Sequence, residues 1–262
     1  MLRSFLGGEL FGEVFGSQPI KMLALHGWGR DHSDYAGILP KATEGESRAE
    51  SLASRCGLLV PDLPGFGVTP PPAAAWGSEE YAGLMARLLD TEVGEPVVVI
   101  GHSFGGRVAV RLAASRPDLV RSLVLTGAPL ARATHNVGSG KRRRIVPAYR
   151  LGRRLYRTGI INEDRMESLR RKYGSYDYVH ATGIMREILV RLLAENYTDD
   201  LAAISCPTEL VWGADDREVP LGVAREIAKA IPGATLRVLP GAGHLVPVEA
   251  AGALWEAAYN LL

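Results

Sequence analysis

The sequence predicts an α/β fold: a mostly parallel central sheet with helices on both faces, interrupted by a helical cap insertion. Three observations predict it. Short apolar runs alternate with helical patterns along the chain, as a sheet wound with crossover helices requires. Most of those runs are continuously apolar, which marks strands buried on both faces. Finally, about eighty residues between Gly127 and Glu209 contain no good strand pattern and read as helices.

The elements follow in order. ELFGEVFG near the start reads as a short antiparallel edge hairpin, and MLALH (22–26) is the first buried strand. LLVPD (58–62), VVVIGH (97–102), LVLTG (123–127), ELVWG (209–213) and TLRVL (235–239) are the others. Helical periodicity falls at 78–92, 104–116, 220–231 and 247–261, and TPPPAAAW (69–76) reads as a surface loop. GRRLYR, DRMESLRRKYG and MREILVRLLAE supply the helices of the strandless region. The expected organisation is a core of residues 1–129 and 204–262, with 130–203 as a basic helical cap.

Composition sets the outer bounds. The chain has 262 residues, 47% hydrophobic and 23% charged, enough for one large domain with a sizeable core. A net charge of +1 gives no global bias toward nucleic acid. Cys56 and Cys206 each precede a strand and read as small core hydrophobes rather than a disulfide or a metal site. The N-terminal stretch MLRSFLGGELFGEVFG is cut by Gly7, Gly8 and Glu9 and does not read as a signal peptide. No apolar stretch approaches the ~18 residues that span a bilayer, so the expected compartment is the cytoplasm. Charge is nonetheless uneven. Residues 131–172 hold thirteen Lys or Arg and three acids, a net +10. That excess is either a solvated helical face or the mark of an anionic partner.

Chemistry concentrates at strand ends. Gly101-His102-Ser103-Phe104-Gly105-Gly106 lies between a strand and a helix, the setting in which a strained turn presents a serine hydroxyl. Serine needs a base, and His244, in PGAGHLVPVE after the last strand, falls at the same edge. An imidazole base needs a carboxylate to fix its tautomer, and Asp215 or Asp216 in WGADDREVP supplies one. In HGWG (26–29), the backbone N–H of Trp28 is placed to join that of Phe104 as an oxyanion hole. His26 reads as a brace for that loop.

With these motifs together, the sequence resembles the α/β-hydrolase superfamily with a helical cap. The resemblance runs through HGWG (26–29), DLPGFG (62–67), GHSFGG (101–106), WGADDREVP (212–220) and GAGH (241–244), essentially the whole chain. It implies a Ser103–His244–Asp216 triad, since the family's acid holds the fourth position of a Gly-x-x-Asp turn. It also implies Phe66 as a contact at the pocket edge, and serine-dependent hydrolysis of carboxylic esters without a metal or organic cofactor. Similar proteins that open epoxides or cleave carbon–halogen bonds carry aspartate where Ser103 stands. Thioester, amide and carbon–carbon hydrolysis remain open, as does a ligand-binding role on the same scaffold. The expected partner is a small-molecule acyl substrate. HGWG and the basic cap also resemble pimeloyl carrier-protein methyl ester esterases, which implies an anionic substrate or an acidic carrier protein as the alternative. Tyr149, Leu155, Tyr156, Ile160, Ile161 and Met185 are candidates to line an acyl pocket.

Overall fold

The computed structural model describes residues 1–39, 56–131, 147–173 and 176–262. Its centre is one eight-stranded sheet, in the order β1-β2-β4-β3-β5-β6-β7-β8. The strands are β1 (Leu2–Phe5), β2 (Leu10–Gly16), β3 (Ile20–Leu25), β4 (Gly57–Asp62), β5 (Val97–His102), β6 (Val120–Thr126), β7 (Thr208–Gly213) and β8 (Thr235–Leu239). Only β2 runs against the rest: it pairs antiparallel with β1 and β4, and every pairing from β4 to β8 is parallel. ELFGEVFG is therefore not a hairpin by itself. It supplies β2, and the hairpin partner is β1, the turn being made by Gly7 and Gly8 at positive φ.

Continuous apolarity becomes burial on two sides. In β5, Val97 and Val99 enter one core layer, while Val98 and Ile100 enter the other. β3 splits in the same way, Leu23 and Leu25 against Met22 and Ala24. The first layer is closed by α1 (Ser78–Glu92), α2 (Phe104–Ser115) and a later helix, α8 (Leu221–Ala230). The second is closed by α9 (Val246–Glu249) and α10 (Ala251–Asn260). The helical pattern at 247–261 thus forms two helices, because Ala250 leaves helical geometry at φ −143° and ψ 44°.

Between β6 and β7 the described residues are helical: α3 (Pro147–Arg157), α4 (Glu163–Tyr173), α5 (Tyr176–His180), α6 (Gly183–Ala194) and α7 (Thr198–Ala203). Arg132 and Lys141 to Arg144 of the basic stretch lie outside the described residues. Polar side chains fasten the end of this segment to α1 and α2. Glu195 accepts hydrogen bonds from the Ser78 N–H and hydroxyl at 2.8 and 2.7 Å, Arg111 pairs with Asp200 at 2.7 Å, and Arg191 pairs with Glu80 at 2.6 Å.

The start of α2 crosses β3 too closely for any side chain. A Cβ on Gly105 would collide with the carbonyl of Leu25, and the Gly105 N–H donates to the carbonyl of His26 at 3.0 Å. Gly105→Val should lower stability by about 1–3 kcal/mol, the usual cost of overpacking a tight core. Thermal denaturation beside wild type checks this, and an unchanged Tm would show that the contact yields.

Candidate functional site

β5 ends at His102, and α2 begins at Phe104. The one residue between them, Ser103, has φ 50° and ψ −109°. A non-glycine residue in that region carries about 1–3 kcal/mol of strain unless its surroundings over-determine it. They do here. The Ser103 N–H donates to the Thr126 carbonyl at 2.9 Å, and the Ser103 carbonyl accepts from the Gly106 N–H at 3.1 Å. The side chain is half-buried at the edge of the sheet where β3, β6, β7 and β8 also end.

His244 follows β8 on the loop into α9. Its Nδ1–H donates to Asp216 Oδ2 at 2.9 Å, and the Asp216 side chain is 1% exposed. Asp216 is itself fixed by the turn after β7, since its Oδ1 accepts from the Glu218 and Val219 N–H groups at 2.9 and 2.8 Å. Asp215, one residue earlier, is exposed and makes no side-chain bond to His244. Of the two acids left open by sequence, Asp216 is the one bonded to His244. Burial pulls the His244 pKa down, but the hydrogen bond and charge of Asp216, with the charges of Glu218 and Glu249, outweigh it. The imidazole is left above its ordinary 6.5.

His102 ties the two loops together. Its Nε2–H donates to the His244 backbone carbonyl at 3.0 Å, and the rings lie 5.0 Å apart. Burial and the neighbouring His244 push its pKa down to about 4, so the ring is neutral. Gly127, at φ 58°, leaves the space these rings occupy: a Cβ there would lie 2.8 Å from His244 Cε1 and 3.4 Å from His102 Cδ2.

Trp28 and Phe104 also come together. Their rings meet edge to face at 5.6 Å, and Phe66 joins them at 4.9 and 5.8 Å. His26 is the brace expected from sequence: its Nδ1–H donates to the Gly27 carbonyl at 2.8 Å, and its Nε2 accepts from the Leu63 N–H at 2.9 Å. Beside this aromatic group is a cavity of about 260 Å³ lined by Trp28, Gly29, Gly65, Phe66, Asp177, His180, Ala181, Thr182 and Met185. Of the six apolar pocket candidates only Met185 lines it. Ile160 and Ile161 instead border a separate open groove of about 560 Å³.

The model of the alpha/beta hydrolase family matches residues 22–257. The chain belongs to the alpha/beta hydrolase family. It is an enzyme, a carboxylesterase-like hydrolase. One relative is a 2-hydroxy-6-oxononadienedioate/2-hydroxy-6-oxononatrienedioate hydrolase of Cupriavidus pinatubonensis, 30% identical over 75% of this chain and 72% of its own. Another is a pimeloyl-[acyl-carrier protein] methyl ester esterase of Chromobacterium violaceum, 29% identical over 90% of this chain and 91% of its own. A thermophilic esterase from Thermogutta terrifontis, solved with malate bound, shares the hydrolase fold at TM-score 0.63 and 24% identity, over 99% of this chain and 97% of that one.

Several residues around this hydrolase site were not legible in its sequence. Glu218 Oε2 stands 3.6 Å from His244 Nε2, and Glu249 accepts from the N–H groups of Gly243 and Leu245, which flank His244. Asp31, His32 and Asp62 bring three potential ligand atoms within 4.8 Å. Those atoms are already engaged. Asp62 accepts from the His32 N–H (2.8 Å), the His32 Nδ1–H (2.7 Å) and the Val68 N–H (3.0 Å), while Asp31 accepts from the Ser33 N–H. The cluster latches the loop after β3 to the loop after β4. Among the described residues no helix is long and apolar enough to cross a membrane.

Proposed function

We propose that the protein hydrolyses carboxylic esters through an acyl-enzyme on Ser103. His244 removes the hydroxyl proton as Ser103 attacks the carbonyl carbon, and Asp216 holds the imidazole in the tautomer that can accept it. The N–H groups of Trp28 and Phe104 donate to the oxyanion. His244 then passes the proton to the departing alcohol and activates the water that releases the acid. The observation that carries this reading is the buried 2.9 Å hydrogen bond from His244 to Asp216, on a loop whose His244 carbonyl accepts from the ring of His102, the residue before Ser103. Residues 130–203 act as the cap over this site, and the protein works in the cytoplasm, where Cys56 and Cys206, which form no disulfide with each other, stay reduced. A p-nitrophenyl ester series of increasing acyl length tests the reading. Turnover that peaks at one length supports it, and none across the series by folded protein contradicts it.

The pH profile follows from the same geometry. Neutral His244 is the active base, so kcat/KM should rise with pH, with an inflection above 6.5, since the native pKa is raised. The Glu218 side chain is 71% exposed, and its charge adds to that rise. Glu218→Gln should therefore move the inflection to lower pH. A shift upward would contradict the assignment.

A second reading, an acyl group delivered on an acidic carrier protein, is favoured by the carrier-protein esterase relative and by the exposed arginines of the helical segment. Arg154, Arg157 and Arg165 are exposed. Charge reversal at Arg154 and Arg157 should slow hydrolysis of a carrier-bound methyl ester more than of the free ester if a carrier docks there.

A further inference from the structure

The 260 Å³ cavity is lined in part by Trp28, one of the two residues proposed to hold the oxyanion. Its floor is aromatic, with Trp28 and Phe66 in edge-to-face contact at 4.9 Å. Met185, from α6, adds an apolar wall. Pockets for drug-sized ligands run to about 300–1,000 Å³, so this one suits a single short chain.

Its polar groups are unlike those of the surrounding segment. α3 and α4 are rich in arginine, yet among the described residues no Lys or Arg lines the cavity. The charged lining residue is Asp177 on α5, with His180 one turn later. The Asp177 carboxylate forms no salt bridge with Lys or Arg among the described residues, and it lies near enough to His244 and His180 to feel their charges. Asp177 is an exposed residue of the cavity lining, and partial desolvation by the neighbouring groups pushes its pKa up.

We infer that this cavity receives the acyl chain of the ester and that Asp177 excludes chains ending in a carboxylate, so the substrate class is neutral short- to medium-chain acyl esters. The inference rests on the proposed roles of Ser103 and of the Trp28 N–H, since Trp28 is the member of that machinery that lines the cavity. An alkyl chain meets Trp28, Phe66 and Met185 and loses only water. A chain of equal length ending in a carboxylate gives up hydration against the same apolar walls and faces a like charge with no guanidinium or ammonium among the described lining groups. Arg154 and Arg157 do not line this space, and Arg165 borders the other groove. Among the described residues, then, the charge lining the acyl cavity is acidic, although the segment that supplies Asp177 is basic overall.

The test compares kcat/KM for p-nitrophenyl heptanoate and mono-p-nitrophenyl adipate at pH 8, where both carboxyl groups are ionised. Wild type should prefer the heptanoate by roughly 10-fold or more. Asp177→Asn should shift the ratio toward the adipate by roughly 10-fold. In unaltered protein, raising NaCl from low salt to 0.5 M should narrow the preference as the charges are screened, which keeps the test independent of how the variant folds. Equal use of the two esters by wild type overturns the proposal. So does a preference that neither Asp177→Asn nor salt changes, or equal losses on both esters in the variant. Ser103→Ala runs alongside: undiminished hydrolysis of heptanoate by that variant defeats the catalytic reading, whereas a loss there with no charge preference in wild type defeats the cavity assignment alone.

Discussion

Ser103→Ala is expected to lower kcat for p-nitrophenyl butyrate by roughly ten-thousandfold or more, with the fold unchanged. The size of the effect follows from what the hydroxyl does: without it no acyl-enzyme forms, and His244 and Asp216 have nothing to activate. Residues that act as one unit fail together, and what survives is binding and oxyanion stabilisation alone. Stability should not fall with activity. Ser103 is only half-buried, its bonds to Thr126 and Gly106 are made by backbone atoms, and alanine meets the same φ of 50° that serine does. Steady-state kinetics beside a thermal melt checks both halves. Residual kcat within 10-fold of wild type would remove Ser103 from the mechanism.

Asp216→Asn should cost nearly as much, roughly 10,000-fold in kcat, the scale seen when a triad carboxylate becomes an amide. The bonding around Asp216 explains why so small a change is so damaging. Its Oδ1 accepts from the N–H groups of Glu218 and Val219, and an asparagine keeps those bonds only by holding its carbonyl there. Its amide nitrogen then replaces Oδ2 and presents N–H to His244 Nδ1. Two donors cannot face each other, so the imidazole must place its proton on Nε2. That is the atom needed to accept the Ser103 proton. KM should change far less than kcat, and Asp215→Asn, which alters an exposed side chain with no bond to His244, should stay within about twofold of wild type. The reverse ranking of the two variants would move the acid to Asp215.

The sheet was legible because burial on both faces leaves a plain trace. β5 runs Val97 to His102, the range its apolar run defines, and β8 matches its run from 235 to 239 as well. β1 left no such trace: three of its four residues are exposed, and only Phe5 is buried. Helical periodicity likewise continued across Ala250, where the backbone breaks into α9 and α10. At the site, local motifs found what local geometry builds: the strained Ser103 turn, the Asp216 turn and the His244 loop. They could not find Asp177, whose nearness to His244 is made only by the packing of α5, nor the bond from His32 to Asp62, which joins loops thirty residues apart. Pocket candidates read from the apolar residues of α3 failed for a related reason. Tyr156 on α3 and Ile160 just after it are exposed in this fold, and periodicity does not say which face of an inserted helix meets the core.

The most direct test of the central claim is to trap the acyl-enzyme. Wild type mixed with excess p-nitrophenyl butyrate is quenched in acid within the first turnovers, digested and analysed by mass spectrometry. The account predicts a butyryl group on the peptide carrying Ser103, fragmenting to that residue, and its absence from Ser103→Ala. An adduct on another residue, or turnover by wild type with no adduct at Ser103 while chemistry limits the rate, would contradict it.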